Sequence, residues 1–214
     1  MLDILIFGKT PEKPIDYYPE STRSNLRWFF LNGFFASASD AISLNYLTLF
    51  ILSLGASSGE IGLMTALASL SATIMLLPGA ALAEKWGNRK RLVLITGGGI
   101  GRFTLLLLAI TPFFFGFSDA IIIAIILKII ADGIGQFSVP AWTSLTADIV
   151  PLNLRGRYFS SRNVVMSISN ISVTFLAGQL ITLLDAPFGY QVAMAISFTF
   201  GLVSSFYYSR IKEP

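Results

Sequence analysis

The 214-residue chain contains no cysteine and no histidine, and charged residues make up only 13% of it. Without cysteine there is no disulfide, thiol nucleophile or thiolate metal ligand. Without histidine there is no imidazole proton relay and no histidine metal site. An ordinary soluble domain carries roughly 25% charged residues, so a water-covered globular surface is excluded as well. The chain has no His-Glu-x-x-His metal sequence and no pair of catalytic acids set in a known motif. These absences argue against an enzyme and against a bound cofactor.

What the chain has instead is apolar sequence, 54% of all residues. Ile61 to Ala83 runs without one charge, and about 20 such residues cross the hydrocarbon core of a bilayer. The runs are apolar all round rather than alternating every second residue, which favours helices over the strands of a barrel. Six spans are predicted: Trp28 to Leu52, Ser58 to Glu84, Leu92 to Phe113, Ala120 to Asp148, Tyr158 to Leu184 and Phe188 to Ser209. The fold class is therefore an all-α membrane protein with six transmembrane helices. Its expected layout is a polar tail over residues 1–27, a helical bundle over 28–209 and a short linker from 210.

Basic residues sort to alternate sides of these spans. All 15 Lys and Arg except Arg102 and Lys128 fall in the tail, between spans 2 and 3, between spans 4 and 5, or after span 6. Arg162 is counted here with the connection between spans 4 and 5. The opposite loops carry Glu60, Asp119 and Asp185 but no Lys or Arg. The positive-inside rule then places both termini in the cytoplasm of a multi-pass protein in the plasma membrane. Leu2 to Phe7 is too short for a signal-peptide core. The net charge of +3 is a topology signal; nucleic-acid binding would need a contiguous basic face, which is absent.

Between spans 2 and 3 stands Ala80-Ala81-Leu82-Ala83-Glu84-Lys85-Trp86-Gly87-Asn88-Arg89-Lys90-Arg91. It resembles the signature loop of the major facilitator superfamily, Gly-x-Leu-Ala-Asp-Arg-x-Gly-Arg-Lys. Leu82, Ala83 and Gly87 match, while Glu84, Lys85 and Arg89 keep the charge type. Ala80 and Asn88 depart, standing where the family has Gly and often Arg. Gly87 permits a tight reversal of the chain, and the basic run suits an anionic inner leaflet. Pro140, Ala147-Asp148, Pro151 and Arg155-Gly156-Arg157 are similar to that family's connection between helices 4 and 5.

Four ionisable residues lie inside the spans: Asp40, Arg102, Lys128 and Asp132. Each costs at least ~2.5–3.5 kcal/mol at a helix centre and needs a partner or a watery cavity. At ~1.5 Å per residue, Asp40 and Asp132 both lie about 18 Å from the start of their spans, near the midplane. Lys128 and Asp132 are spaced to pair on one helix face, and Arg102 needs an aspartate from a neighbour. Gly97 to Gly101 lacks the strand and the Lys-Ser of a phosphate loop and is read as helix packing; Gly97 with Gly101 and Ala68 with Ala72 form small-residue pairs.

The resemblance implies two inverted three-helix repeats, in which helices 1 and 4 line the path and occupy equivalent places. It implies that Asp40, Lys128 and Asp132 contact a small-molecule solute or a coupling proton, with Asn45, Gln136 and Asn32 as further lining and Arg102 as a structural bridge. Lys128 sits where many proton-coupled members carry Arg, twelve residues before Pro140. It implies that Glu84 latches against a second six-helix half. The function expected is secondary transport by alternating access. The chain would be the amino-terminal half, a truncated product, with a dimerising half-size transporter and a ligand sensor that does not transport as the alternatives.

Overall fold

A computed structural model of the protein describes residues 18–213, and the structural statements below concern those residues. They contain six helices long and apolar enough to cross a membrane, and no strand. The helices are α1 (Glu20–Ser53), α2 (Ser58–Trp86), α3 (Arg89–Phe114), α4 (Phe117–Ile149), α5 (Arg155–Leu184) and α6 (Phe188–Ser209). Pro78, Pro112 and Pro140 lie inside α2, α3 and α4, where neighbouring helices can satisfy the freed carbonyl groups.

Local sequence sets the helix ends. Ser57 caps α2: its hydroxyl accepts from the Glu60 amide at 3.2 Å, and the Glu60 carboxylate accepts from the Ser57 amide at 2.8 Å. Gly55 to Gly59 has the letters of a Gly-x-Ser-x-Gly nucleophile elbow, but this serine is a helix cap and the chain has no histidine to activate it. At the other end of α2, Gly87 takes a φ of 63°, a left-handed conformation open to glycine without steric cost. Asn88 then caps α3, its side-chain oxygen accepting from the Arg91 amide at 3.0 Å. An arginine at position 88 has no acceptor for that role, so this departure from the signature pattern has a local reason.

The first helix begins at Glu20, inside the stretch read from sequence as a tail; the remainder of that stretch lies outside the described residues. At ~1.5 Å per residue its 34 residues reach ~51 Å, well beyond a ~30 Å hydrocarbon core. One face of the extra turns packs on protein, burying Asn25 and Leu26. The Asn25 amide donates to the Lys212 carbonyl at 2.7 Å and its oxygen accepts from the Lys212 amide at 2.8 Å. Ile211 is fully buried beside them. Residues 210–213, expected to be a linker, therefore fold back on α1.

The helices pack as two interleaved sets of three. α2 lies on α4 and α5 on α1, while α1 lies on α6 and α4 on α3. Exchanging α1 with α4, α2 with α5 and α3 with α6 maps these pairings onto one another, as an inverted repeat requires. Two apolar clusters result. One joins Ile42, Phe50, Met64, Leu108 and Met194 toward the Ser57 end, and the other joins Leu26, Phe29, Leu145, Tyr158 and Tyr208 toward the Gly87 end. A polar belt separates them, tied by Ser39 to the Ser197 carbonyl at 2.8 Å and by Asn32 to the Ser204 hydroxyl at 2.9 Å.

Glycine sets the closest approach of α2 to α4. A Cβ on Gly79 would collide with the carbonyl of Phe137, and one on Gly133 would collide with the Ser71 hydroxyl. Gly79, rather than Ala80 beside it, thus holds this crossing together. In α3 the close contacts are likewise shifted: Leu94–Ile100 is a π-helical segment that turns Gly97 toward Ser138 and Gly98 toward Ser205. A Cβ on Gly101 would meet only its own helix, so the pairing of Gly97 with Gly101 expected from sequence is replaced by Gly97 with Gly98. The wider π turn changes the register that a four-residue spacing assumes.

The Gly79 contact is testable. Gly79→Leu drives a side chain into the backbone of α4, and a loss of about 1–3 kcal/mol is expected for such overpacking. Thermal unfolding in detergent should show a clearly lowered midpoint, while Gly135→Ala, which meets nothing within 4 Å, leaves it unchanged.

Candidate functional site

Four of the ionisable side chains in the polar belt form two pairs. Arg102 of α3 donates to Asp40 of α1 at 3.3 Å and to the Ser39 hydroxyl at 2.9 Å. Gly201 of α6 makes room for it, since a Cβ there would strike the Arg102 side chain. Lys128 of α4 holds both oxygens of Asp132, one turn away, at 2.6 and 2.7 Å. Each pair replaces two isolated charges by a neutral unit, which is what makes charge tolerable at this depth.

The pairs line two neighbouring cavities. The first, about 300 Å³, lies within the bundle among α1, α3, α4, α5 and α6 and includes Asn32, Arg102, Arg162, Ser204 and Tyr208. The second, about 360 Å³, includes Asp40, Arg102, Lys128 and Asp132. Asp40, Gly97, Arg102 and Ser138 border both, so the Arg102–Asp40 bridge stands in their common wall. The Asp40 side chain is 47% exposed and that of Arg102 only 17%. The carboxylate therefore faces the open side of the bundle while the guanidinium is held inside.

The other residues singled out from sequence fall elsewhere. Asn45 donates to the Ala41 carbonyl at 2.7 Å and to Thr174 at 3.2 Å, tying α1 to α5. Gln136 is exposed, and neither cavity includes Asn45 or Gln136. Asn32 does line the first cavity, with its amide spent on Ser204. Leu82 is half-buried near the end of α2, where Glu84 and Lys85 are exposed.

Arg89 is the organising side chain at the Gly87 end. It meets Asp148 of α4 at 2.7 Å, Ser144 at 2.7 Å and Glu213 at 3.1 Å. The Glu213 carboxylate also accepts from the backbone amides of Arg89 and Lys90 at 3.1 and 3.3 Å. It therefore caps α3 at the positive end of its dipole as well as pairing with Arg89. Arg155 donates to the carbonyls of Val150 and Ala147, closing the end of α4. Asp148 and Glu213 were not read as partners of Arg89.

Arg162 was missed altogether. The sequence reading placed it with the loop basics, whereas it lies within α5 and is only 5% exposed. Its guanidinium sits 4.3 Å above the Phe29 ring. No periodic pattern marked it, because four residues from a predicted span boundary is within the error of such a boundary.

A sequence profile described as the Major Facilitator Superfamily matches residues 29–214, almost the whole helical bundle. The chain belongs to the major facilitator superfamily. No curated protein and no solved structure matches it. As a facilitator it is a multi-pass membrane protein of a transporter family, and its six helices are the amino-terminal half of that fold.

The Arg102–Asp40 bridge predicts non-additive mutations. Arg102→Gln and Asp40→Asn should each destabilise the chain. The double variant should recover about 1 kcal/mol of the summed loss, since neither charge is then left alone. A thermodynamic cycle from unfolding in detergent measures this directly.

Proposed function

We propose that the protein moves a small solute across the plasma membrane by alternating access, its bundle working opposite a second six-helix half. The reading rests on one observation: two partly buried ion pairs, Arg102–Asp40 and Lys128–Asp132, border adjoining cavities in the polar belt. A purely structural belt could be built from the Ser and Asn bonds already present, with none of the cost of charge. Ion pairs that break and re-form give a bundle two states of similar energy, which alternating access requires.

In this account both termini and the Arg89 cluster face the cytoplasm, as the distribution of Lys and Arg supports. The second half covers the exposed faces of α2 and α5, where Leu70, Ile74 and Leu77 and then Ile168, Ile171 and Phe175 are bare. It is a carboxy-terminal bundle or a second copy of this one. Asp40 and Asp132 meet the solute or a proton, and Lys128 releases Asp132 when the solute arrives. Arg102 anchors Asp40 from within. The protein carries out no covalent chemistry.

Counterflow in proteoliposomes holding the protein with its second half tests this. Labelled solute should exchange, and Asp132→Asn should cut the exchange rate by about tenfold or more at equal protein, as loss of a charge-assisted contact costs. Glu84→Gln, which lines neither cavity, should not abolish exchange. Solute that binds but never exchanges would instead mark a sensor.

A further inference from the structure

We propose that the first cavity binds an oxyanion, a carboxylate or phosphate group, with Arg162 as its anchoring cation. The inference rests on the transport reading only for its biological setting and is argued from the side chains that line the cavity.

Arg162 is the most buried arginine among the described residues, and no carboxylate lies within 4.0 Å of it there. Its Nε donates to the Phe29 carbonyl at 3.4 Å, a long bond, and its two terminal nitrogens have no protein acceptor. Three less buried cations are served differently. Arg89 has two carboxylates, Arg102 has Asp40 and Lys128 has Asp132. Stacking on Phe29 returns only part of what removing an ion from water costs. The guanidinium is therefore left under-compensated.

Its seat is built rather than accidental. A Cβ on Gly33 would collide with the guanidinium, so α1 is thinned where Arg162 crosses it. The cavity beside it is lined by five helices of this bundle and is open on one side. Arg102 and Tyr208 also border the cavity, although the Arg102 Nε and the Tyr208 hydroxyl are themselves buried away from it.

Charge and donor count point the same way. The cavity holds two guanidinium groups against one carboxylate, Asp40, which Arg102 already occupies. Unmatched donors with an excess positive charge call for an acceptor that is anionic. A guanidinium fork matches two oxygens of a carboxylate or phosphate. A cavity of about 300 Å³ admits a small anion or the head of a larger one. Such a group could arrive on a soluble solute or on an anionic lipid, and the test separates the two.

The purified chain in neutral detergent is unfolded thermally with inorganic phosphate, with succinate, or with sodium chloride at equal ionic strength. Phosphate or succinate should raise the midpoint above chloride, and Arg162→Gln should remove the rise. Arg162→Lys, which keeps the charge but loses the fork, should weaken the apparent affinity about tenfold or more. Met166→Glu, which gives Arg162 a carboxylate one helical turn away on the cavity wall, should weaken it as well and stands in if the Arg162 variants fail to fold. In a parallel arm, a rise given only by phosphatidylglycerol and lost in Arg162→Gln assigns the same site to a lipid headgroup.

No anion-specific rise in either arm, or a rise equal in the wild type and the variants, overturns the proposal. Binding is read here without a membrane, so its failure is distinct from a failure of counterflow.

Discussion

A charge inside a bilayer must find its counter-charge within the protein, and the architecture of this chain follows from how it does so. The apolar clusters at the two ends of the bundle need nothing beyond shape. The belt between them holds Asp40, Arg102, Lys128 and Asp132, which answer one another in two pairs, and Arg162, which has only the Phe29 ring and carbonyl. That requirement fixes which faces of α1, α3 and α4 look inward. It also explains why small residues stand beside the charged ones: Gly201 and Gly33 vacate the space that the two guanidinium groups fill.

The same logic operates at the Gly87 end, with water nearer at hand. Arg89 gathers Asp148 from α4 and Glu213 from the segment after α6, and that segment is in turn pinned to α1 through Asn25. Four parts of the chain thus meet around one arginine. A bundle fastened at one end and divided by a polar belt at its middle is stiff where it must hold together. Between the two ends, the Arg102–Asp40 bridge stands beside the π-helical turn of α3.

Much of this was legible in the residues. The six spans are long, uninterrupted and capped by recognisable signals, so α2, α4 and α6 begin or end within about three residues of expectation. The start of α1 was not legible, because Glu20 to Arg27 is too polar for any hydropathy argument. Those turns are helical through tertiary contact with residues 210–213. Within the belt, the i to i+4 spacing announced Lys128–Asp132. Which aspartate Arg102 would meet depends on helix packing that spacing cannot show. Arg162 was hidden by its place near a boundary, and Gly97 to Gly101 by a π turn that breaks the four-residue rhythm. Asn45 and Gln136, expected as further lining, border neither cavity, since polarity does not say which way a side chain faces.

The central claim is that the charged belt borders a path reached by water and solute rather than a sealed core. Ser138 borders both cavities, and the chain has no native cysteine, so a single Ser138→Cys substitution reports on that point alone. In membranes of known orientation, a membrane-impermeant thiol reagent should label this cysteine from either side in turn as the path opens inward and outward. A cysteine silent to the reagent from both sides, yet reactive once the protein is denatured, would contradict the account.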